Sequence, residues 1–421
     1  MVWFLFALVG VPYLVFFRRG EARERLGGAR GAPRPGCLWV HAASLGEYEA
    51  ARPIVESWSA GGDAGRLLVS CTNRSARQRL AERLPGGART RLAPLDLLPC
   101  IRRALELERP ACIVFVETEI WPEWIAEATR RGIPVAFVSA RISDRTLPRY
   151  RRFRALLRPL LMRLQVIGCR SEEDRRRWIE IGAPEDRCLA WGNTKHEAGP
   201  RRPTPLSSET GERFVLVAGS MRSGEESILD LVEAVGAERL RLVVAPRHLA
   251  RLVRWERACL RRGVAFRCTS TCGLDPVREP GRTGRVLRSG DAGLPPVLLV
   301  DAMGLLCPFY RCADAAFVGG TWVPIGGHNL FEPAREGIGV FFGGSIAEVR
   351  DVAASLLETG GGLQVESVRA LVKGVERLLE DPPARAGMGE AARESADQLA
   401  GAAARTLAGL RERGIPPGSG S

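Results

Sequence analysis

Ser44 and Glu47 stand three residues apart in "HAASLGEYEA" (41–50), between an apolar run and a helical-looking one. That spacing is a capping box, in which Ser and Glu satisfy the first orphan amides of a helix. It also places a carboxylate at a strand-to-helix turn, where a general base can take a proton from a bound hydroxyl. A capping Glu folds back onto the cap; a base faces the cleft, and the cleft is the expectation here. Two further carboxylates, Glu117 and Glu119, follow a second apolar run in "ETEIWPEW". "SARISDRT" (139–146) carries Arg141 and Arg145, whose guanidinium groups suit bidentate contact with a phosphate.

The second half holds another set. "VAGSMRSGEE" (217–226) places Ser220 and Arg222 between a strand and a helix start, and "APRH" (245–248) places Arg247 and His248 after a buried strand. The densest signal is "FVGGTWVPIGGHNLFEPA" (317–334), with four glycines in nine positions, then His328, Asn329 and Glu332. Gly326 and Gly327 there would let backbone approach a ligand closely. Lys195, in "WGNTKHE", is one of only two lysines among 61 basic residues, which hints at a need for a compact ammonium. No Asp-x-Asp follows a strand and the four histidines are dispersed, so no metal site is expected.

The elements that must position these residues follow a βαβ rhythm. "CLWVHAA", "RLLVSCT", "CIVFVE", "PVAFVSA" and "VIGCRS" read as strands alternating with helices, and "YRRFRALLRPLLMRL" as a single basic helix. The rhythm pauses over the Pro-rich stretch 195–212 and restarts with "RFVLVAGS", "RLVVAP", "VLLVDA", "AAFVGG" and "GVFFGG". Residues 266–295 read as an aperiodic Gly/Pro/Arg loop. Continuous apolar strands alternating with helices specify parallel sheets covered on both faces. Ligands in such sheets sit at the carboxyl ends of the strands. The expectation is α/β: two Rossmann-like domains facing across a cleft. Residues 20–200 form the N-terminal domain, 201–212 a linker, 213–385 the C-terminal domain, and 386–421 closing helices and a tail.

Composition bounds the rest. A net charge of +13 favours anionic partners. The arginine skew reflects genome composition, and no nucleic-acid-binding signature accompanies it, so nucleic acid is not an expected partner. Eleven scattered cysteines read as reduced thiols. Residues 1–17, "MVWFLFALVGVPYLVFF", are uncharged and closed by Arg18 and Arg19. As a helix they span about 25 Å. The basic flank places the following domain on the cytoplasmic side. Residues 1–19 are therefore expected to be a single-pass membrane anchor.

The ordered blocks "WVHAASLGE", "ETEIWP", "RGIPVAFVSARISDR", "SEEDRRRW", "GNTK", "AGSMRSGEE", "APRH", "VDAMG" and "FVGGTWVPIGGHNLFEP" resemble the 3-deoxy-D-manno-octulosonic acid (Kdo) transferases of lipopolysaccharide assembly. The resemblance implies an inverting, metal-independent glycosyltransferase of GT-B type at the bacterial inner membrane, without a cofactor. It would move Kdo from CMP-Kdo to a lipid A precursor, close to an anionic membrane surface. Carried over by position, Glu47 becomes the catalytic base. Ser44, Gly46, Glu117, Glu119 and Arg141 fall on the acceptor side. Lys195, Ser220, Arg222, Arg247, His248, Met303, Gly304, Gly326, Gly327, His328, Asn329 and Glu332 fall on the donor side. Met221 replaces the usual Thr, Gly339 and Gly344 replace prolines, and Glu348-Val349 stands where Asn-Phe is expected. Other proteins of this architecture, a sugar-nucleotide epimerase or a non-catalytic lipid- or sugar-binding protein, are the alternative.

Overall fold

The computed structural model describes residues 19–28, 32–196, 213–272 and 294–415. The expected anchor before Arg19, the expected linker 201–212 and most of the expected 266–295 loop lie outside them. Among the described residues no helix is long and apolar enough to cross a membrane.

The chain forms two compact units. One comprises Met1–Glu197 with Ala400–Ser421, the other Ala198–Leu399. The closing helices are thus divided: Pro382–Leu399 belongs to the second unit and Ala402–Glu412 to the first.

The first unit is built on a seven-stranded parallel sheet of order β3-β2-β1-β4-β5-β6-β7. Its strands are β1 (Leu38–His41), β2 (Leu67–Cys71), β3 (Arg89–Leu92), β4 (Cys112–Val116), β5 (Val135–Ala140), β6 (Val166–Cys169) and β7 (Cys188–Ala190). β1, β2, β4 and β5 are buried along their whole length, which is why they read as unbroken apolar runs. β3, "RTRL", has no such run. Its Arg91 is buried because Glu108 accepts from it at 3.1 Å while its guanidinium lies over Trp39. The basic helix expected as one piece is two, Leu147–Arg152 and Arg154–Leu161, divided at Phe153.

The second unit repeats the plan with order β10-β11-β9-β8-β12-β13-β14. Its strands are β8 (Phe214–Met221), β9 (Leu240–Pro246), β10 (Phe266–Cys268), β11 (Val297–Leu299), β12 (Ala315–Val318), β13 (Gly339–Phe342) and β14 (Gly362–Gln364). β10 occupies the start of the stretch expected to be a loop. Strand order reverses between β1 and β4 in one sheet and between β8 and β12 in the other. In open α/β sheets, ligands bind at such a reversal, beyond the strands' carboxyl ends.

Candidate active site

At the reversal of the first sheet, β1 delivers His41 and, through the turn Ala42–Ser44, the helix Leu45–Trp58 with Glu47 in its first turn. Ser44 caps that helix, its hydroxyl accepting from the Glu47 amide at 3.2 Å. The Glu47 carboxylate turns back: Oε2 accepts from the Ala43 amide at 2.8 Å and Oε1 from the Ser44 hydroxyl at 3.3 Å. This corrects the expectation that the side chain would point away from the cap. It closes a capping box one residue early, on Ala43, and the base candidate rests in that box.

Capping would ordinarily stabilise the carboxylate. Here burial outweighs it, and the charges of Glu119 and Glu117 add to burial, so the Glu47 carboxyl is pushed up to about 7. Glu117 follows β4 with a φ of 59°, a strained conformation for a side chain of this size. Its Oε1 accepts from Lys195 Nζ at 2.7 Å. Lys195, expected on the donor side, is thus built into the first unit. Its loop is held there by Thr194, whose hydroxyl lies 2.6 Å from Ser139 Oγ and 2.6 Å from the carbonyl of Ala50. Ser139 has φ 48° at an irregularity in β5 pairing. Glu119 accepts from Trp121 Nε1 at 2.7 Å and lies 3.6 Å from His41 Nε2. Burial raises its carboxyl, but His41 and Trp121 prevail and hold it below the ordinary value. The half-buried Arg141 follows β5, its carbonyl accepting from Thr118. Gly46 is exposed in the first helical turn, with open space for a ligand beyond Ser44 Oγ.

In the second unit, Ser220, φ 54°, is the penultimate residue of β8, where pairing with β9 shifts register. Met221, at the usual Thr position, is buried and its carbonyl accepts from the Arg247 amide. Arg222 donates to His248 Nε2. A cavity of about 360 Å³ opens here, lined by Met221, Arg222, Ser223, His248, Arg251, Val323 and Ile325. His328 stands near the same cations. Burial and the charges of Arg247, Arg222 and His248 push it down to about 4, so near neutrality it is an uncharged donor. Its buried Nε2 has no hydrogen-bond partner among the described residues. Asn329 donates to Glu332 Oε1 at 3.0 Å, and burial raises the Glu332 carboxyl despite Asn329, Arg335 and Arg247. Met303 is 68% exposed and Gly304 has φ 86°, in the turn after β11.

Two sequence readings change. Gly326 and Gly327, φ 91° and 86°, do allow close approach, but by the chain itself. A Cβ on Gly326 would stand 2.8 Å from Glu348 Cγ, and one on Gly327 2.9 Å from the Ser345 carbonyl oxygen. Gly339 lies under Met388, 2.7 Å from its sulfur to an added Cβ, and Gly344 faces Glu366. The departures at 339, 344 and 348 are therefore packing positions.

Two residues were not legible as site residues. His41 is fully buried, its Nδ1 2.9 Å from Ser70 Oγ. Glu225, also fully buried, accepts from the amides of Gly320 (2.8 and 2.9 Å), Trp322 (3.1 Å) and Arg222 (2.8 Å). It thereby ties the turn after β8 to the glycine loop after β12. The sequence signal was present in "GEE", as an acid three residues after Arg222 at the end of β8, but burial is what makes it informative.

The family model described as 3-Deoxy-D-manno-octulosonic-acid transferase (kdotransferase) matches residues 20–198. A 3-deoxy-D-manno-octulosonic acid transferase of Bordetella pertussis is 32% identical over 400 residues, 93% of this chain and 91% of that protein. A bifunctional glycosyltransferase/methyltransferase of Fusobacterium nucleatum is 30% identical over 351 residues, 81% of this chain, which spans only 52% of that longer protein. The structure of a UDP-GlcNAc 2-epimerase from Neisseria meningitidis bound to UDP-GlcNAc superposes with a TM-score of 0.58 over 90% of this chain and 100% of the other. At 13% identity, that likeness extends to the fold alone. The two parallel-sheet units match the fold of such proteins, and the identity to the Bordetella pertussis enzyme over nearly its whole length shows that the chain belongs to the Kdo transferase family of glycosyltransferases.

Proposed function

We propose that this protein transfers Kdo from CMP-Kdo to a lipid A precursor by a single, inverting displacement that needs no metal. The observation that carries the reading is Glu47: a carboxyl at the reversal of the first sheet whose proton affinity lies near neutrality. A base so poised is ionised in a large fraction of molecules and still accepts a proton well. Its carboxylate takes the proton of the acceptor hydroxyl as that oxygen attacks the anomeric carbon of Kdo. The bond from that carbon to the CMP phosphate breaks on the opposite face, and the electron pair leaves with CMP. Arg222 and Arg247 supply positive charge for the departing phosphate and the Kdo carboxylate, and His328 supplies an uncharged hydrogen bond. Glu117, Glu119 and Arg141 serve the acceptor.

We place the work at the inner membrane, with residues 1–19 as anchor and both units on the cytoplasmic side. A second feature supports an anionic membrane surface as partner. The stretch 147–163 carries six arginines and no acid, and exposes Phe153, Leu156 and Met162 at 48%, 75% and 45%.

The test is CMP release from CMP-Kdo with lipid A precursor as acceptor. Glu47→Gln is expected to lower kcat/KM by about 10²–10⁴. Turnover within a few-fold of wild type would remove Glu47 from the role of base. In the same preparations, removal of residues 1–18 should shift the protein from the membrane pellet to the supernatant; unchanged sedimentation would transfer the anchoring role to the basic helices.

A further inference from the structure

His41 lies at the carboxyl end of β1 with none of its side chain exposed, an expensive place for an imidazole unless its nitrogens are used. Nδ1 is 2.9 Å from Ser70 Oγ, and that same hydroxyl accepts from Trp39 Nε1 at 2.9 Å. With the indole as donor, Ser70 gives its own proton to Nδ1, and the imidazole proton resides on Nε2. Nε2 points at Glu119, 3.6 Å from Oε2. This is longer than a hydrogen bond, and among the described residues no other acceptor meets this buried nitrogen. The ring cannot turn to find one. Phe115, Trp121 and Trp124 enclose it, with ring centroids 5.8, 5.2 and 5.3 Å away. Trp121 brings the second donor, its Nε1 standing 2.7 Å from the same Oε2 of Glu119. The His41 N–H from β1, in close electrostatic contact, and the Trp121 N–H from the turn after β4, in a hydrogen bond, thus converge on one carboxylate oxygen.

We propose that His41 is a positioning residue for the transfer reaction, fixing the Glu119 carboxylate, together with Trp121, as the negative neighbour of Glu47. The proposal rests on the reading of Glu47 as base and adds the mechanism by which the protein sets its strength. Glu47 is faced by Glu119 and Glu117 from the β4 turn and by the Ala43 amide and Ser44 hydroxyl from its own turn. Glu117 has its charge occupied by Lys195. Glu119 is also faced by Tyr150, whose hydroxyl it helps to raise and beside which Arg149 lies. Glu119 is the larger of the two acidic influences on Glu47. If its two donors are lost, Glu119 either swings away or takes up a proton more readily. Both outcomes lessen the negative charge beside Glu47 and make Glu47 a weaker base, ionised at lower pH.

The experiment is the pH profile of kcat/KM for CMP release by the full chain. In wild type the acidic limb is expected near the Glu47 value of about 7. His41→Leu, which removes the Nε2 donor, should move that limb down by about half a unit or more, with lower activity on the alkaline plateau. His41→Gln, which retains a donor, should restore most of the limb position. Glu119→Gln alone should move the limb the same way, and His41→Leu should then add no further shift. Trp121→Phe removes the other donor and should give a smaller shift in the same direction; it decides the matter if His41→Leu fails to fold. A limb that stays in place in His41→Leu, or a shift that persists undiminished in the Glu119→Gln background, overturns the proposal. Failure of the underlying reading looks different: Glu47→Gln would then keep its turnover, whatever His41 does.

Discussion

Glu47 is pulled in opposite directions by its neighbours. The Ala43 amide and Ser44 hydroxyl reward the ionised form, while burial, Glu119 and Glu117 penalise it and win. A carboxyl whose folded-state value lies above its unfolded one stabilises the fold fully below the unfolded value. That contribution disappears as pH rises through the folded value, here between about 4.5 and about 7. Above pH 7 the native protein therefore carries an incompletely compensated, half-buried charge in this turn. Glu47→Gln keeps the capping geometry, since the amide oxygen can still accept from Ala43, and removes the charge. The variant is expected to lose turnover yet melt higher at pH 8, by on the order of 1–2 kcal/mol after discounting for partial exposure. At pH 4.5 the two proteins should melt together. Thermal unfolding at both pH values checks this, and an equal or lower melting temperature for the variant at pH 8 would show that the turn holds no such strain.

At the scale of elements, much of the fold was legible because β1, β2, β4, β5 and β8 are buried on both faces and their chemistry is uniform. β3 was not, since its interior residue is Arg91, made tolerable by Glu108, which is distant in sequence. The acids Glu47, Glu117 and Glu119 were legible because carboxylates at strand ends are unusual among apolar runs. Glu225 was not, because its role lies in three amides that only the folded chain brings together. Gly319 shows how close that junction is: a Cβ there would stand 2.7 Å from Met221 Cα and 2.8 Å from the Ser220 carbonyl oxygen. Glu225→Ala strands the amides of Gly320, Trp322 and Arg222 in a buried site. Each orphan costs about 1–3 kcal/mol where water cannot reach it. The second unit should lose stability, and the KM for CMP-Kdo should rise more than kcat falls, because the loops that hold Arg222 and His328 lose their tie. Unfolding and steady-state kinetics read both, and an unchanged KM would make Glu225 a packing residue only.

Over the whole molecule, the order of units along the chain is not the order of their completion. After the second unit closes, the chain returns to the first, where the helix Ala402–Glu412 packs on Trp191. That indole is sandwiched by two glycines: a Cβ on Gly168 would stand 2.1 Å from it and one on Gly409 2.2 Å. Arg405 Nε donates to the Trp191 carbonyl at 3.0 Å, and Gln165 Nε2 to that of Arg413 at 2.9 Å. Trp191 immediately precedes the loop that carries Thr194 and Lys195, so the last helix buttresses the loop that pairs with Glu117. A chain ending at Leu399 lacks this support although everything that forms the second unit is present. In calorimetry the transition of the first unit should fall or vanish while that of the second holds, and CMP binding should survive the loss of turnover. Gly409→Val is the gentler version: the added side chain cannot coexist with the indole, so it should lower the first transition without shortening the chain, by about 1–3 kcal/mol as for other overpacked interiors. If either change instead lowered the second transition alone, the last helix would have to be reassigned to the unit that precedes it.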